Sequence, residues 1–453
     1  MNVVVMKTKA EQSLFECFET VATRLPGGKA VAEVRREAIQ LFEAKGLPHR
    51  RLEAWKYTDL RAVLKDVSPP SVGDATKITI GDVIVAMGPL GSLDAYRLTF
   101  VNGAFRPELS NVKGATGLDV KALSAALAEA PDKVAEGLTR LAAPADDMLI
   151  TLNTAYMTDG AVVRVAPGQT LVKPLLLIFV RAGGETRMTA TRNVISVGEG
   201  ANATIVEAFT TLPGAASSSQ CNTVTETIVS ADAKINHIKC AIETGAVTHL
   251  ASSIVSLASQ ASYRGFQLTA GPLLARNQIF ATYTGEGASL DLSGAFLGRG
   301  RDHIDTTLIV DHAVAGCQSR ELYKGVLDGE AKGVFQGKII VRPNAQKTDG
   351  KQMAQVLMLS PDAEFDSKPE LEIYADDVAC GHGSTSAELD ADQLFYCQAR
   401  GIPEAEARAL LTEAFVGEAI EKIEHEAVRK ALIVMARGWL KGERAEIRAR
   451  RVG

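Results

Sequence analysis

The chain has 453 residues, 46% hydrophobic and 23% charged, with a net charge of -5. That length allows roughly two to four domains, and the composition favours packed cores over disorder. The acidic balance argues against a nucleic-acid binder, which would be basic.

The N-terminal "MNVVVMKTKAEQSLFECFET" has no basic run followed by an apolar stretch, so no signal peptide is expected. Nothing approaches the roughly 18 apolar residues of a membrane span. Cysteines 17, 221, 240, 317, 380 and 397 are far apart and form no Cys-x-x-Cys pair. The expectation is a cytoplasmic protein with reduced thiols and without an all-cysteine metal site.

In chain order, "KAVAEVRREAIQLFEAKGLP" spaces Val31, Val34, Ala38, Leu41 and Phe42 as a helix, stopped by Gly46 and Pro48. "RRLEAWKYTDLRAVLKD" reads as a further helix or turn, with Trp55 and Tyr57 as core or docking aromatics. "SPPSVGD" (68–74) is a linker. "YRLTFVNGAFRPEL" carries the hairpin signal Asn102-Gly103. Residues 120–142 return to helical spacing through Leu123, Leu127, Val134, Leu138 and Leu141.

From about Ala161 to Ser384 short period-two runs replace helical spacing: Val163 and Val165; Leu290 and Leu292; Phe335, Gly337, Ile339 and Val341; Leu371, Ile373 and Ala375. Small-residue turns punctuate them, with alanines at 201, 233, 261, 288, 315, 331 and 363, separated by 32, 28, 27, 27, 16 and 32 residues. A period near 30 fits a parallel β-helix; patterning alone leaves a sandwich or barrel open. After Ser384, Asp390 caps a helix, Gly401 stops it and Pro403 opens the next. Leu410, Ala414, Ile420, Ile423, Val428, Leu432 and Met435 form one stripe, and the tail is basic.

Within "DDVACGHGSTSAELDADQLFYCQARGIP", Cys380 and His382 are two apart, so an extended backbone points both side chains one way. Thiolate and imidazole are the pair that iron accepts in mixed-ligand sites. The residues alone leave two readings: an iron or sulfur site, or a Gly-flanked corner with a buried thiol. Cys221, Cys240 and Cys317 read as small core residues. His303, Asp305, Asp311 and His312 in "DHIDTTLIVDHAV" read as a chance grouping rather than a metal set. "GVFQGKI" (333–339) lacks the spacing and the Ser/Thr of a phosphate-binding loop.

Several motifs together resemble the SufB/SufD family of Suf-type iron–sulfur scaffolds. Cys380, His382, Gly383 and Thr385 resemble the D-type Cys-x-His-Gly-x-Thr. "QLFYCQARGIPEAEARALL" resembles the family's Leu-Phe-Tyr-x-x-x-Arg-Gly-Ile. "SRELYKGVLDGEAKGVFQGKIIVRPNAQKTDG" resembles its Lys-Gly, Gly-x-Phe-x-Gly and Ala-Gln-Lys-Thr elements. "RRLEAWKYTDL" resembles the D-type Glu-x-Trp-Lys-Tyr-Thr. The likeness runs from about residue 50 to 425.

The resemblance implies a mainly β protein: a right-handed parallel β-helix (146–385) between a mostly helical N-terminal region (1–145) and a helical C-terminal region (386–453). It implies a non-enzymatic scaffold that pairs with a SufB-like paralogue and a SufC-like ATPase, builds a nascent iron–sulfur cluster shared with SufB, and passes it to apo-proteins. Cys380 and His382 are the expected cluster ligands, with His382 the stronger. Phe395, Tyr396, Arg400 and Gly401 are the expected partner-docking residues. A homodimer through the same β-helix end is expected for the isolated chain, with neither nucleic acid nor membrane as partner. A flavin belongs to the complex and is placed on no residue. The alternatives are a purely structural adaptor and a β-helix carbohydrate-active enzyme; the latter would want paired carboxylates or a calcium cluster, and usually secretion.

Overall fold

A computed structural model describes residues 7–73, 76–137 and 147–442. In chain order the helices are α1 (Lys9–Val21), α2 (Lys29–Lys45), α3 (Leu60–Val63), α4 (Ile80–Met87), α5 (Leu123–Glu129), α6 (Pro131–Gly137), α7 (Met148–Tyr156), α8 (Ala391–Gln398), α9 (Glu404–Ile420) and α10 (Glu426–Leu440). The early strands are β1 (Tyr96–Val101), β2 (Ala104–Phe105), β3 (Leu118–Ala122), β4 (Ala161–Val165), β5 (Leu175–Arg181), β6 (Met188–Val197), β7 (Asn202–Thr211), β8 (Ser218–Val229) and β9 (Lys234–Ile242). Then come β10 (Ala246–Leu257), β11 (Ser262–Ala270), β12 (Leu274–Tyr283), β13 (Ser289–Gly300), β14 (His303–His312), β15 (Gln318–Gly329), β16 (Lys332–Val341), β17 (Asp349–Met358), β18 (Glu364–Ile373) and β19 (Ala379–Ala387).

From β4 onward the strands alternate between two sheets, β18-β16-β14-β12-β10-β8-β6-β4-β3 and β19-β17-β15-β13-β11-β9-β7-β5-β1-β2. Successive strands within each sheet pair in parallel from β4 and β5 onward, so each rung adds one strand to each sheet. The protein is a flattened parallel β-helix of about eight turns with helices at both ends of the chain.

The repeat is visible in the register. Lys234 pairs with Ser262, Ser262 with Ser289 and Ser289 with Gln318. Ala201, Ala233, Ala261 and Ala288, just before these strands, are buried at one corner. The next place in that column belongs to Cys317 and not to Ala315, because Gln318 is the residue paired with Ser289. Ala331 and Ala363 precede β16 and β18 and belong to the opposite corner. The gap of 16 in the alanine series is therefore half a rung.

The two ends of the β-helix differ. At the start, β3 pairs antiparallel with β4, and β2 with β1, so both first edges are covered. Asn102 and Gly103 take φ of 48° and 83°, as the tight hairpin between β1 and β2 requires. β1 also pairs in parallel with β5, so the N-terminal region supplies the first strand of that sheet. Phe100, Phe179 and Phe209 stack inside at 5.1 and 4.6 Å between centroids. At the far end, among the described residues, no further strand pairs with β18 or β19.

Between β3 and α7 the expected single helix over 120–142 is a strand followed by α5 and α6, interrupted at Pro131, which cannot continue a helix. Leu123 and Leu127 are buried; Leu138 and Leu141 lie outside the described residues. The C-terminal stripe also divides. α9 ends at Ile420 and α10 begins at Glu426, so the phase resets, leaving Leu410 and Ala414 exposed and Met435 half-buried. Ile420, Ile423, Val428 and Leu432 pack on Val206, Ile238, Phe266 and Leu268, the outer face of the β5–β19 sheet. The basic tail beyond residue 442 is outside the described residues.

Candidate functional site at the open end

Cys380 and His382 lie in β19, the last strand of its sheet. Cys380 pairs with Gly350 and His382 with Gln352, and both pairs share the lumen face with buried Ala354 and Val356. Period-two geometry therefore aims the thiol and the imidazole into the lumen. No further rung covers them, so His382 is exposed and Cys380 half-buried. Cys380 packs against the cluster of Ile339, Val341, Ala345 and Ala375. Burial raises its thiol pKa, opposed by a backbone hydrogen bond from Gly350. Position 350 is glycine, and a Cβ there would stand 3.3 Å from Ser319 Oγ and 3.4 Å from Ile339.

Backbone direction divides the edge. Ala379 N–H donates to Thr348 O at 2.8 Å, so alternation turns the N–H and C=O groups of Cys380, His382, Ser384 and Ser386 outward, toward the unpaired side. In β18, Glu364 N–H donates to Ala331 O and Tyr374 N–H to Val341 O, which turns residues 365, 367, 369, 371 and 373 outward. One of these is Pro369, which has no donor. Proline is the usual device for blunting an edge strand, and β19 lacks it.

The floor of this mouth went unnoticed in the sequence. Gln352 sits below His382, donating from Nε2 to Gly337 O at 3.0 Å. A Cβ on Gly337 would meet Gln352 Oε1 at 2.2 Å, so that glycine makes the space for the amide. Below Gln352, in register, is Glu321, 3% exposed, with no hydrogen bond to either carboxylate oxygen. Burial pushes this carboxyl up to about 8, opposed by Arg320 and by the nearby Ser319 hydroxyl, which contacts His312 Nε2 at 3.1 Å and makes no hydrogen bond to Glu321. Glu321, Gln352 and His382 are 31 and 30 residues apart, one rung each, and the strand register puts all three on one face.

Phe395, Tyr396, Arg400 and Gly401 lie together on α8 and its end. Phe395 is 69% and Tyr396 57% exposed, so neither packs the helix onto the β-helix. The Arg400 guanidinium lies 3.4 Å from the Tyr396 ring centroid, and Gly401 takes φ of 83° at the helix stop. Asp390 caps α8 by accepting from Asp392 N and Gln393 N.

The other cysteines and histidines are placed elsewhere. Cys240 and Cys317 are buried, and Cys221 is half-buried. β14 splits "DHIDTTLIVDH" between its two faces. His303 and Asp305 point outward onto Thr58, Asp311 pairs with Arg342 at 2.8 Å, and His312 points inward to Ser319 Oγ at 3.1 Å. Among the described residues no three His, Cys, Asp or Glu side chains are gathered as a metal set. The run 333–339 is extended within β16, not a phosphate-binding loop. The lumen also holds a second polar group that sequence spacing did not reveal. His237 contacts Glu207 and Tyr263 at 2.8 Å each, His249 contacts Glu243 at 2.7 Å, and Lys239 donates to Asn277 at 2.9 Å. Burial lowers the Lys239 pKa to about 8.

The chain is thus a parallel β-helix closed at one end, with a cysteine–histidine pair on the edge strand of the other. Two family models together span most of the chain. Residues 179–415 match "SUF system FeS cluster assembly, SufBD core domain", and residues 8–177 match "SufBD protein N-terminal region". The chain belongs to the SufBD family of the SUF iron–sulfur cluster assembly system. It is 31% identical to an iron–sulfur cluster assembly SufBD family protein of Synechocystis, over 86% of each chain. It is 29% identical to the iron–sulfur cluster assembly protein SufD of Escherichia coli, over 90% of this chain and 92% of that one. Similarity to SufD of Bacillus subtilis is 26% over 63% of this chain and 65% of that protein. No described helix is long and apolar enough to cross a membrane.

Proposed function

We propose that this chain is a D-type, non-hydrolytic scaffold subunit that acts in the cytoplasm, and that its open β-helix end is half of a shared cluster-assembly site. The observation that carries the reading is the mouth: Cys380 and His382 project from one face of the last strand, whose outward N–H and C=O groups pair with no strand among the described residues. A thiol and an imidazole are suitable iron ligands, but two donors do not complete a cluster. The remaining ligands come from a SufB-like paralogue that adds a strand to β19. Without that partner the chain forms a homodimer through the same edge, since an unpaired strand is a template for pairing.

ATP hydrolysis belongs to a SufC-like partner docked at Phe395, Tyr396, Arg400 and Gly401. The support is their exposure and the residue types, since aromatic and arginine side chains dominate interface energetics. The assembled complex builds a nascent cluster as cargo and delivers it to apo-proteins.

The test is anaerobic co-expression with SufB-like and SufC-like partners, comparing the parent chain with His382→Ala and Cys380→Ala by visible absorption and by iron and sulfide content. An assembled His382→Ala complex that has lost its cluster supports the shared site. Two variants that hold cluster like the parent leave only a structural adaptor.

A further inference from the structure

We propose that Glu321 is the inner counter-charge of the mouth, acting across the Gln352 rung on a cationic iron species held at Cys380 and His382. This rests on reading the mouth as a metal-binding site. Among the described residues Glu321 is the one carboxylate with both oxygens buried and without a hydrogen-bond partner. An unpartnered buried polar group costs stability, and a native protein that keeps one has a use for it.

Its position indicates the use. Glu321, Gln352 and His382 occupy successive rungs of one lumen column. Beside it runs the column Ser319, Gly350 and Cys380, where the glycine leaves no side chain between the hydroxyl and the thiol. When charged, Glu321 adds to the burial that raises the Cys380 thiol pKa. The other charged and titratable groups nearby are Arg320 and Tyr323 on its own strand, Asp291 on the preceding rung, and Tyr283 and His312 on the facing sheet.

With the mouth empty the carboxyl holds its proton. When a divalent cation binds, the O–H bond breaks, the proton leaves to solvent through the mouth, and the carboxylate stays as counter-charge. Two rung spacings of about 4.8 Å place the charges about 10 Å apart. Held by the Cys380 thiolate, a divalent cation keeps about one net positive charge, and at an effective dielectric of about 20 that separation is worth roughly tenfold in affinity.

The experiment titrates anaerobic cobalt(II) into the purified full chain at pH 7.5, following its absorption bands, with thermal unfolding of the same samples. Glu321→Gln is expected to weaken cobalt binding roughly tenfold while raising Tm, because the amide, unlike the carboxyl, need not take up a proton to be buried. Glu321→Asp is expected to keep most of the affinity. If Glu321→Gln binds cobalt like the parent, the proposal falls, whatever happens to Tm. If it weakens binding only by unfolding the chain, seen as a lowered Tm, the residue is structural and the proposal also falls. Failure of the mouth itself shows differently. His382→Ala that binds cobalt like the parent, or a parent that binds none, overturns the metal site and its counter-charge together.

Discussion

The guanidinium of Arg276 lies against the indole of Trp55, 3.8 Å from the ring centroid, and pairs on its other side with Asp305. Arg276 and Asp305 are fully buried on the outer face of the β4–β18 sheet. The segment that covers them is the Glu-x-Trp-Lys-Tyr-Thr motif. Ala54 O accepts from Arg276 at 2.8 Å and from Gln336 at 3.2 Å, Thr58 bonds Asp305 and His303, and Glu53 reaches Lys368 on β18 at 2.8 Å. Six residues thus tie four consecutive strands, β12, β14, β16 and β18. Breaking the buried pair from one side is expected to be severe. Asp305→Ala should cost about 3–5 kcal/mol, because it leaves an uncompensated buried cation. Paired Arg276→Met and Asp305→Leu should recover most of that loss. Denaturant unfolding of the three variants checks both expectations; an Asp305→Ala chain as stable as the parent would refute the first.

Glycine inside the lumen is a packing device. A Cβ on Gly325 would stand 2.3 Å from Cε2 and Cζ of Phe296, and one on Gly294 would stand 2.4 Å from Tyr323 Cε1. Each glycine is the notch into which the aromatic of a neighbouring rung fits. Gly325→Ala should therefore destabilise the chain by about 1–3 kcal/mol through overpacking. Gly381→Ala, where a Cβ meets nothing within 4 Å, should be near neutral. Their relative Tm values measure the contrast.

The pH dependence of stability should carry the signature of Glu321. Its folded pKa is raised by burial to about 8, above the ordinary carboxylate range. Between that range and pH 8 the folded state holds a proton that the unfolded state has released, so stability falls as pH rises through this window. Glu321→Gln removes that fall. The Tm difference between variant and parent should be near zero at pH 4, widen up to about pH 8, and level off above it. A difference that stays constant from pH 4 to 8 would exclude a raised carboxyl.

The free edge of β19 makes a further prediction. Ser384 directs its N–H away from β17, whereas Thr385 directs its N–H toward it. Ser384→Pro removes a donor that no strand among the described residues uses, so Tm should change little. Self-association of the isolated chain, followed by sedimentation, should weaken severalfold. Thr385→Pro removes a ladder bond and should destabilise the last rung itself. Equal self-association by the parent and Ser384→Pro would mean that copies meet elsewhere.

Much of this protein is decided by local spacing. Period-two alternation and turns about 30 residues apart are properties of short segments, and they specify strands and a repeat without reference to the rest of the chain. The same holds for Asn102-Gly103, whose positive φ angles fit only a tight hairpin, and for Cys380 and His382, which share a face because any extended backbone puts i and i+2 together. Stacking order is not local. Whether Glu321 lies under Gln352 and His382 depends on the length of every intervening corner, and one residue of slip would turn its carboxylate to solvent. The tertiary structure alone set the phase break between α9 and α10, the landing of the Trp55 segment on Arg276, and the difference between an edge blunted by Pro369 and one left open at β19. Each depends on which surfaces are covered by residues far away in the chain, and burial is what converts an ordinary glutamate into a charge held in reserve.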